Sequence, residues 1–262
     1  MTHINLDKLP VWNRMGTITL AEMDSIKLMN RIDTKFVTNQ SCLAEILDDA
    51  AAHGYRANII EGKVIQGYTS IYYDTEELKM FTAHRSGKKT RQKVRVRTYL
   101  SSGDTFLEIK RKNNKGRTKK KRIAIDSRLA MNFGQSGEAS EFLAKQSWWT
   151  APMLTPEVST VFRRITLVNA AKTERLTIDT DLKFENFRNG NTADLADAVI
   201  IELKQDGKAE SEMKNILLAH RVFPFRISKY CMGVSLTEPQ ISKGRFKMKI
   251  RYIEKQINSK LI

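Results

Sequence analysis

KVRVRTYLSSGDTFLEIKRKNNKGRTKKKRIAI, residues 93 to 125, alternates full charges with bulky apolar residues. Residues two apart on a strand share a face. Arg95 and Arg97 therefore stand opposite Val94 and Val96, and Glu108 and Lys110 stand opposite Leu107 and Ile109. Lys120 and Arg122 share a face of the third strand, with Ile123 and Ile125 on the other parity. Ser-Gly and Asn-Asn-Lys-Gly mark the turns between strands. Two sheets fit this pattern: an antiparallel sheet with one wet face, which is the commoner cause of such alternation, or a curled sheet with charges on its concave side.

The same alternation recurs far away in sequence. Glu202 and Lys204 oppose Ile201 and Leu203; Arg175 and Asp179 oppose Leu176 and Ile178; Arg31, Asp33 and Lys35 share one face. The polar members are nearly all full charges, where a solvated face would also carry Thr, Ser and Gln. Like charges face one another across a lumen only when an anion lies between them, so the pattern favours a barrel with a charged interior. The overall charge agrees. Of the net +16 carried by 262 residues, the segment from Lys79 to Arg122 supplies +15, with 17 basic residues against Asp104 and Glu108. Charge concentrated in one stretch points to a polyanionic partner met at one place.

Elsewhere the signals are ordinary. Thr19 and Glu22 form a capping-box pattern that predicts a helix running toward Asn30, and Ser41 is the expected cap of a helix ending at Gly54. YTSIYYDT and LKMFTA read as strands before residue 93. STVFRRITLV, RLTIDTDLKF and AVIIELK read as strands after a helix at GEASEFLAKQ. Lys208–Val222 and Lys243–Asn258 read as helices. The organisation expected is one domain over residues 1–262: N-terminal helices at about 19–53, strands at about 67–204 and C-terminal helices at about 208–258. The fold class is α+β, a closed antiparallel β tunnel of about eight strands with helices on the outside. The start of the chain lacks the apolar core of a signal peptide, no apolar run is long enough to span a bilayer, and two cysteines suit a reducing compartment. A cytoplasmic location is expected. Cys231 reads as a packing residue, His84 as a surface residue, and Tyr72 with Asp74 as either lumen residues or a structural pair.

The ordered motifs resemble the VTC-type polyphosphate polymerase domain, a branch of the triphosphate tunnel metalloenzyme superfamily. The resemblance rests on R-x-D-x-K-F at Arg31 to Phe36, S-x-Y-Y-D-T at Ser70 to Thr75, R-V-R at Arg95 to Arg97 and E-I-K at Glu108 to Lys110. It continues with K-K-K-R ending at Arg122, V-F-R-R at Val161 to Arg164, R-L-T-I-D-T-D-L at Arg175 to Leu182, E-L-K at Glu202 to Lys204 and S-K-Y-x-x-G at Ser228 to Gly233. It implies a lumen that binds triphosphate and a divalent metal, Mn²⁺ or Mg²⁺, and transfer of the ATP γ-phosphate to a growing polyphosphate chain. Lys35, Arg95, Arg97, Lys110, Arg164, Arg175 and Lys204 become phosphate ligands, with Ser228 and Lys229 contacting phosphate near the mouth. Parity adds Lys120 and Arg122. Glu202 becomes the metal-binding carboxylate, with Glu108 or Asp33 as a second. The partners implied are ATP, inorganic polyphosphate and a membrane protein that receives the product; no nucleic-acid partner is expected.

Where hydrolytic relatives carry E-x-E-x-K on the first strand, this chain has Arg31-x-Asp33-x-Lys35, which favours polymerase over hydrolase. A triphosphate or polyphosphate hydrolase in the same tunnel is the alternative, and a non-catalytic polyphosphate- or RNA-binding module is the third reading. KRKNNKGRTKKKR alone would suit RNA, but it lacks the interleaved aromatics of a stacking platform.

Overall fold

The structure, a computed structural model, describes residues 4–24, 31–207 and 210–261. Two expected helix ends, toward Asn30 and at Lys208, lie outside those residues, as does the side chain of Arg31. The strands are β1 (Gly16–Thr19), β2 (Arg31–Asn39), β3 (Arg56–Ile59), β4 (Gln66–Asp74), β5 (Arg91–Tyr99), β6 (Thr105–Lys112) and β7 (Thr118–Ala124), then β8 (Thr155–Val168), β9 (Glu174–Asn186), β10 (Thr192–Asp194) and β11 (Ala198–Asp206). The helices are α1 (Leu20–Asp24), α2 (Gln40–Ala52), α3 (Lys79–Arg85), α4 (Gly137–Gln146), α5 (Glu212–Ala219), α6 (Lys229–Thr237) and α7 (Phe246–Ile257). None is long and apolar enough to cross a membrane.

Eight strands form one path in the order β2-β11-β9-β8-β4-β5-β6-β7, antiparallel at every step. The path curls but does not close: no ladder joins β7 to β2 among the described residues. The expected closed tunnel is an open half-barrel. The reason lies in β7, whose Thr118–Arg122 are exposed throughout and whose Ile123 is only half-buried. A strand with Lys119, Lys120, Lys121 and Arg122 in succession has no apolar face whose burial could offset the repulsion of closing onto Lys35. The outer edge of β2 is met instead by the segment after α5: the Phe225 amide donates to the Lys35 carbonyl at 2.6 Å, and Phe36 bridges to Pro224.

The outward parity of the strands forms the cores. Val94, Val96, Leu107 and Ile109 are buried on one flank, where α4 packs on β6 and β7. Leu176, Ile178, Ile201 and Leu203 join Leu43, Leu47, Ile216 and Leu217 of α2 and α5 on the other. Helix α2 is capped by Asn39, whose side chain accepts from the Cys42 amide at 2.9 Å, so the helix starts ahead of the expected cap, Ser41. The Thr19–Glu22 box forms as expected, with Thr19 N donating to Glu22 at 2.8 Å and Glu22 N to Thr19 Oγ1 at 3.3 Å.

LKMFTA is a helix, α3, and not a strand. The buried Asp74 carboxylate accepts from the Met80 and Phe81 amides at 2.8 Å each, and Thr75 Oγ1 accepts from Lys79 N at 3.2 Å. Together they satisfy three of the amides that a helix start leaves unpaired. Tyr230 also donates to Asp74, so the carboxylate ties α3 to α6. Helix α6 lies across one end of the concave face, with the Tyr230 ring stacked on Tyr72 at 5.3 Å.

A Cβ added at Gly233 of α6 would stand 2.7 Å from Val158 and 2.8 Å from Phe184. Alanine normally stabilises a helix interior relative to glycine. Here Gly233→Ala is expected to reverse that sign, lowering unfolding free energy by about 1–3 kcal/mol through overpacking; denaturant titration at constant m-value measures it.

Candidate functional site

The strand parity that buries valines outward turns the charges inward, onto a cavity of about 760 Å³. Lys35, Arg95, Arg97, Lys110, Lys120, Arg122, Arg164, Arg175, Lys204, Ser228 and Lys229, all singled out from sequence, line it together with Asp33 and Glu202. Glu108 does not. Its side chain points to the same side but is fully buried beneath Arg95 and Lys120. Lys93 also lines the cavity and was missed, although its parity with Arg95 and Arg97 carries the signal. Asp179, read only as one of a shared face, proves central. In all, eleven cationic side chains and four carboxylates line the cavity among the described residues.

Three carboxylates each hold two cations. Arg95 donates to Glu108 through Nε at 2.8 Å and through its terminal nitrogen, while Lys120 reaches the other oxygen at 2.9 Å. Arg164 forks onto Asp179 at 2.6 and 2.9 Å, and Lys229 pairs with the same carboxylate. Lys35 and Lys204 take the two oxygens of Glu202, the second at 2.9 Å. These partners come from different elements: β5, β6 and β7 in the first group, β8, β9 and α6 in the second, β2 and β11 in the third.

Burial alone would raise each carboxyl, but the cations prevail. Arg95, Arg97 and Lys120 hold Glu108 below the usual range; Arg164 and Lys229 do so for Asp179; Lys204, Lys35 and Lys110 do so for Glu202. All three are anionic at neutral pH.

Other cations pair with no carboxylate among the described residues. Arg97 has only the Ser70 hydroxyl at 3.1 Å and the ring faces of Tyr68 and Phe162, each 5.6 Å away. Burial, then Arg95 and Arg164, push its guanidinium down to about 10, still charged at neutral pH. Lys110 makes no hydrogen bond or ion pair among the described residues. Arg95 first, and burial after it, hold its ammonium well below the ordinary range. Lys93 donates to Ser228 Oγ at 2.6 Å, and burial pushes it down too. Ser228 caps α6, accepting from Cys231 N at 3.3 Å, so the N-terminus of α6 opens beside these lysines.

For a divalent metal, Glu202 faces the cavity, and Asp33 is its diagonal neighbour, since Glu202 pairs with Lys35 and Lys204 with Asp33 across β2 and β11. One or two carboxylates plus phosphate oxygens and water suit Mg²⁺-type coordination. No cluster of three or more Asp, Glu, His or Cys occurs among the described residues. The donor set therefore fits a metal held jointly with substrate, by Glu202 and Asp33. Glu108 is too deep and already fully bonded. His84, expected at the surface, sits against Phe246 with Nδ1 3.1 Å from Cys231 Sγ. Burial foremost, then Lys93 and Arg91, push it down to about 2, so it is neutral. Cys231 is buried and its thiol raised by that burial, a packing residue.

A family model described as VTC domain matches residues 30–238. Among solved structures the chain is similar to a proposed adenylyl cyclase from Hippeastrum described as having a dominant triphosphatase activity. The TM-score is 0.50 at 14% identity, covering 78% of this chain and 95% of that one. It is also similar to a proposed adenylate cyclase from Vibrio parahaemolyticus, with TM-score 0.45 and 11% identity over 80% of this chain and 99% of that one. At such identities the likeness concerns the fold. No curated protein sequence matches the chain.

Two outcomes are expected from this electrostatic arrangement. Glu108→Gln frees Arg95 and Lys120 to repel each other and Arg97, and should cost about 3–5 kcal/mol of stability, the range for breaking a buried pair; chemical denaturation tests it. Lys204 is pushed down to about 8, chiefly by burial. The unfolded chain therefore binds more protons than the folded one between pH 8 and its ordinary value of 10.5. Stability should rise with pH across that window, and Lys204→Met should flatten the rise.

Proposed function

We propose a function for this chain on the premise that it belongs to the VTC-domain family: it is an enzyme acting on triphosphates that transfers the γ-phosphate of ATP to inorganic polyphosphate. The observation that carries this reading is the residue of charge in the cavity. After Glu108, Asp179 and Glu202 have each engaged two cations, Arg97, Lys110 and Lys93 still face the cavity with no carboxylate partner among the described residues. Desolvated cations held together by the fold are best satisfied by a chain of phosphates.

Phosphoryl transfer asks mainly for positioning and charge neutralisation. Arg97 and Arg95 present guanidinium forks to non-bridging oxygens; Lys110 and Lys35 act as point charges. The terminal oxygen of the acceptor polyphosphate attacks the γ-phosphorus. The bond from that phosphorus to the β–γ bridging oxygen breaks, ADP leaves with the electron pair, and the acceptor is one unit longer. The attacking oxygen is already anionic, so no general base is needed. Lys35 and Lys204, on turning to phosphate oxygens, release Glu202 for a metal ion. A divalent ion bound there with Asp33 would neutralise charge developing on the β- and γ-phosphate oxygens.

Purified protein incubated with ATP and Mg²⁺ or Mn²⁺, with and without a short polyphosphate primer, is expected to yield ADP and long polyphosphate. Arg97→Ala should lower the rate on the order of 100- to 1,000-fold, the range for removing one preorganised transition-state donor, and Glu202→Ala should abolish metal dependence together with turnover. Free phosphate as the sole product would move the chain to the hydrolase reading. Polyphosphate binding through Arg97 with no turnover would make it a binding module.

A further inference from the structure

Beyond the cavity the inward rows of β5, β6 and β7 continue. From one end to the other they read Arg97–Phe106–Ala124, Arg95–Glu108–Arg122, Lys93–Lys110–Lys120 and Arg91–Lys112–Thr118. The second row contains the one carboxylate; the last two hold five cations and no acid. Like charges directly opposite on neighbouring strands are destabilising, and here two successive rows place them so. Other elements converge on the same end. The Lys249 ammonium donates to the Arg226 carbonyl, and the Arg245 guanidinium lies against Gly87 in the α3–β5 turn. Arg91, Lys112, Arg226, Arg245 and Lys249 make no ion pair with a carboxylate among the described residues. Arg91, Lys112 and Lys249 are each pushed down, first by burial; Arg226 contributes in all three. That is the direction of cations crowded together.

We infer that Arg91, Lys112, Arg226 and Arg245 form a collar that grips a linear polyphosphate chain where it passes out of the cavity beside Lys93. The inference rests on the polyphosphate reading of the cavity and extends it to chain length. The collar is continuous with the cavity: Arg91 and Lys112 occupy the row next to Lys93 and Lys110 on the same strand faces. Arg226 lies two residues before Ser228, whose hydroxyl accepts from Lys93. A ligand as short as tripolyphosphate is accommodated by the cavity alone, whereas a longer chain must cross the collar. The spacing suits a narrow, unbranched polyanion with charge on every unit; the last two rows hold no aromatic face to stack a base.

The test is binding without nucleotide, comparing tripolyphosphate with long-chain polyphosphate across a salt series. The quadruple variant Arg91→Gln, Lys112→Gln, Arg226→Ser, Arg245→Ser should flatten the slope of log affinity against log salt for the long chain by roughly 2 to 3, as expected when four cations no longer meet the phosphates of a flexible polyanion. Its tripolyphosphate slope should not change. Arg226→Lys with Arg245→Lys should restore long-chain binding where the Ser pair loses it. Equal loss for both ligands, or an unchanged long-chain slope, would sink the collar. So would single-stranded RNA that competes as well as polyphosphate of equal charge, since the surface would then serve nucleic acid. Primer extension separates this idea from the one beneath it. A wild-type chain that shows the length-dependent contact yet makes no polymer removes the polymerase and leaves the collar. Normal extension and normal long-chain binding by the quadruple variant do the reverse.

Discussion

Three carboxylates, each clamped between two cations, are what allow this sheet to curl around eleven positive side chains. A concave face carrying that much like charge would repel itself open, and burial would make the repulsion worse. Asp179 and Glu202 bridge elements distant in sequence, so the charge network also fixes how β2 meets β11 and how α6 meets β8 and β9, while Glu108 ties together the three strands of the β5–β7 meander. The apolar parity outside supplies the driving force for the curl; the clamps make its inside tolerable. What they leave over, chiefly Arg97, Lys110 and Lys93, is the capacity to bind.

The division of labour between acids follows from depth. Glu108 is sealed beneath Arg95 and Lys120 and holds Arg95 in position without reaching a ligand. Asp179 aims the Arg164 fork and fastens the first residue of α6 to the sheet. Glu202 alone among the three is also bordered by a second cavity carboxylate, Asp33. The same chemical group thus serves as anchor, aiming device and metal-ligand candidate according to its surroundings.

Much of this was legible in the sequence because a strand's period is two. Parity alone sent Arg95, Arg97, Lys110, Lys120, Arg122, Arg175, Glu202 and Lys204 to one side, and the structure gathers them around one cavity. Parity also contained Lys93, Arg91 and Lys112. Asp179 went unrecognised because its partners arrive from β8 and α6, and pairings between strands leave no local mark. LKMFTA misled because its short apolar run fits a strand, whereas the deciding groups, Asp74 and Thr75, lie just before it. Closure was overread for a related reason. In β7 charges occupy consecutive positions and only Ile123 and Ile125 mark the other face, so alternation cannot say whether that face has enough to bury.

The unpaired edge of β7 changes what kind of container this is. A ring can be occupied by a polymer only if an end is threaded through it, and the polymer escapes only by running out. A trough whose β7 edge carries no ladder to β2 among the described residues leaves a side as well as its ends through which a strand can enter. Occupancy is then governed by how many units lie in the groove at once, and neither capture nor release has to wait for a terminus to be found.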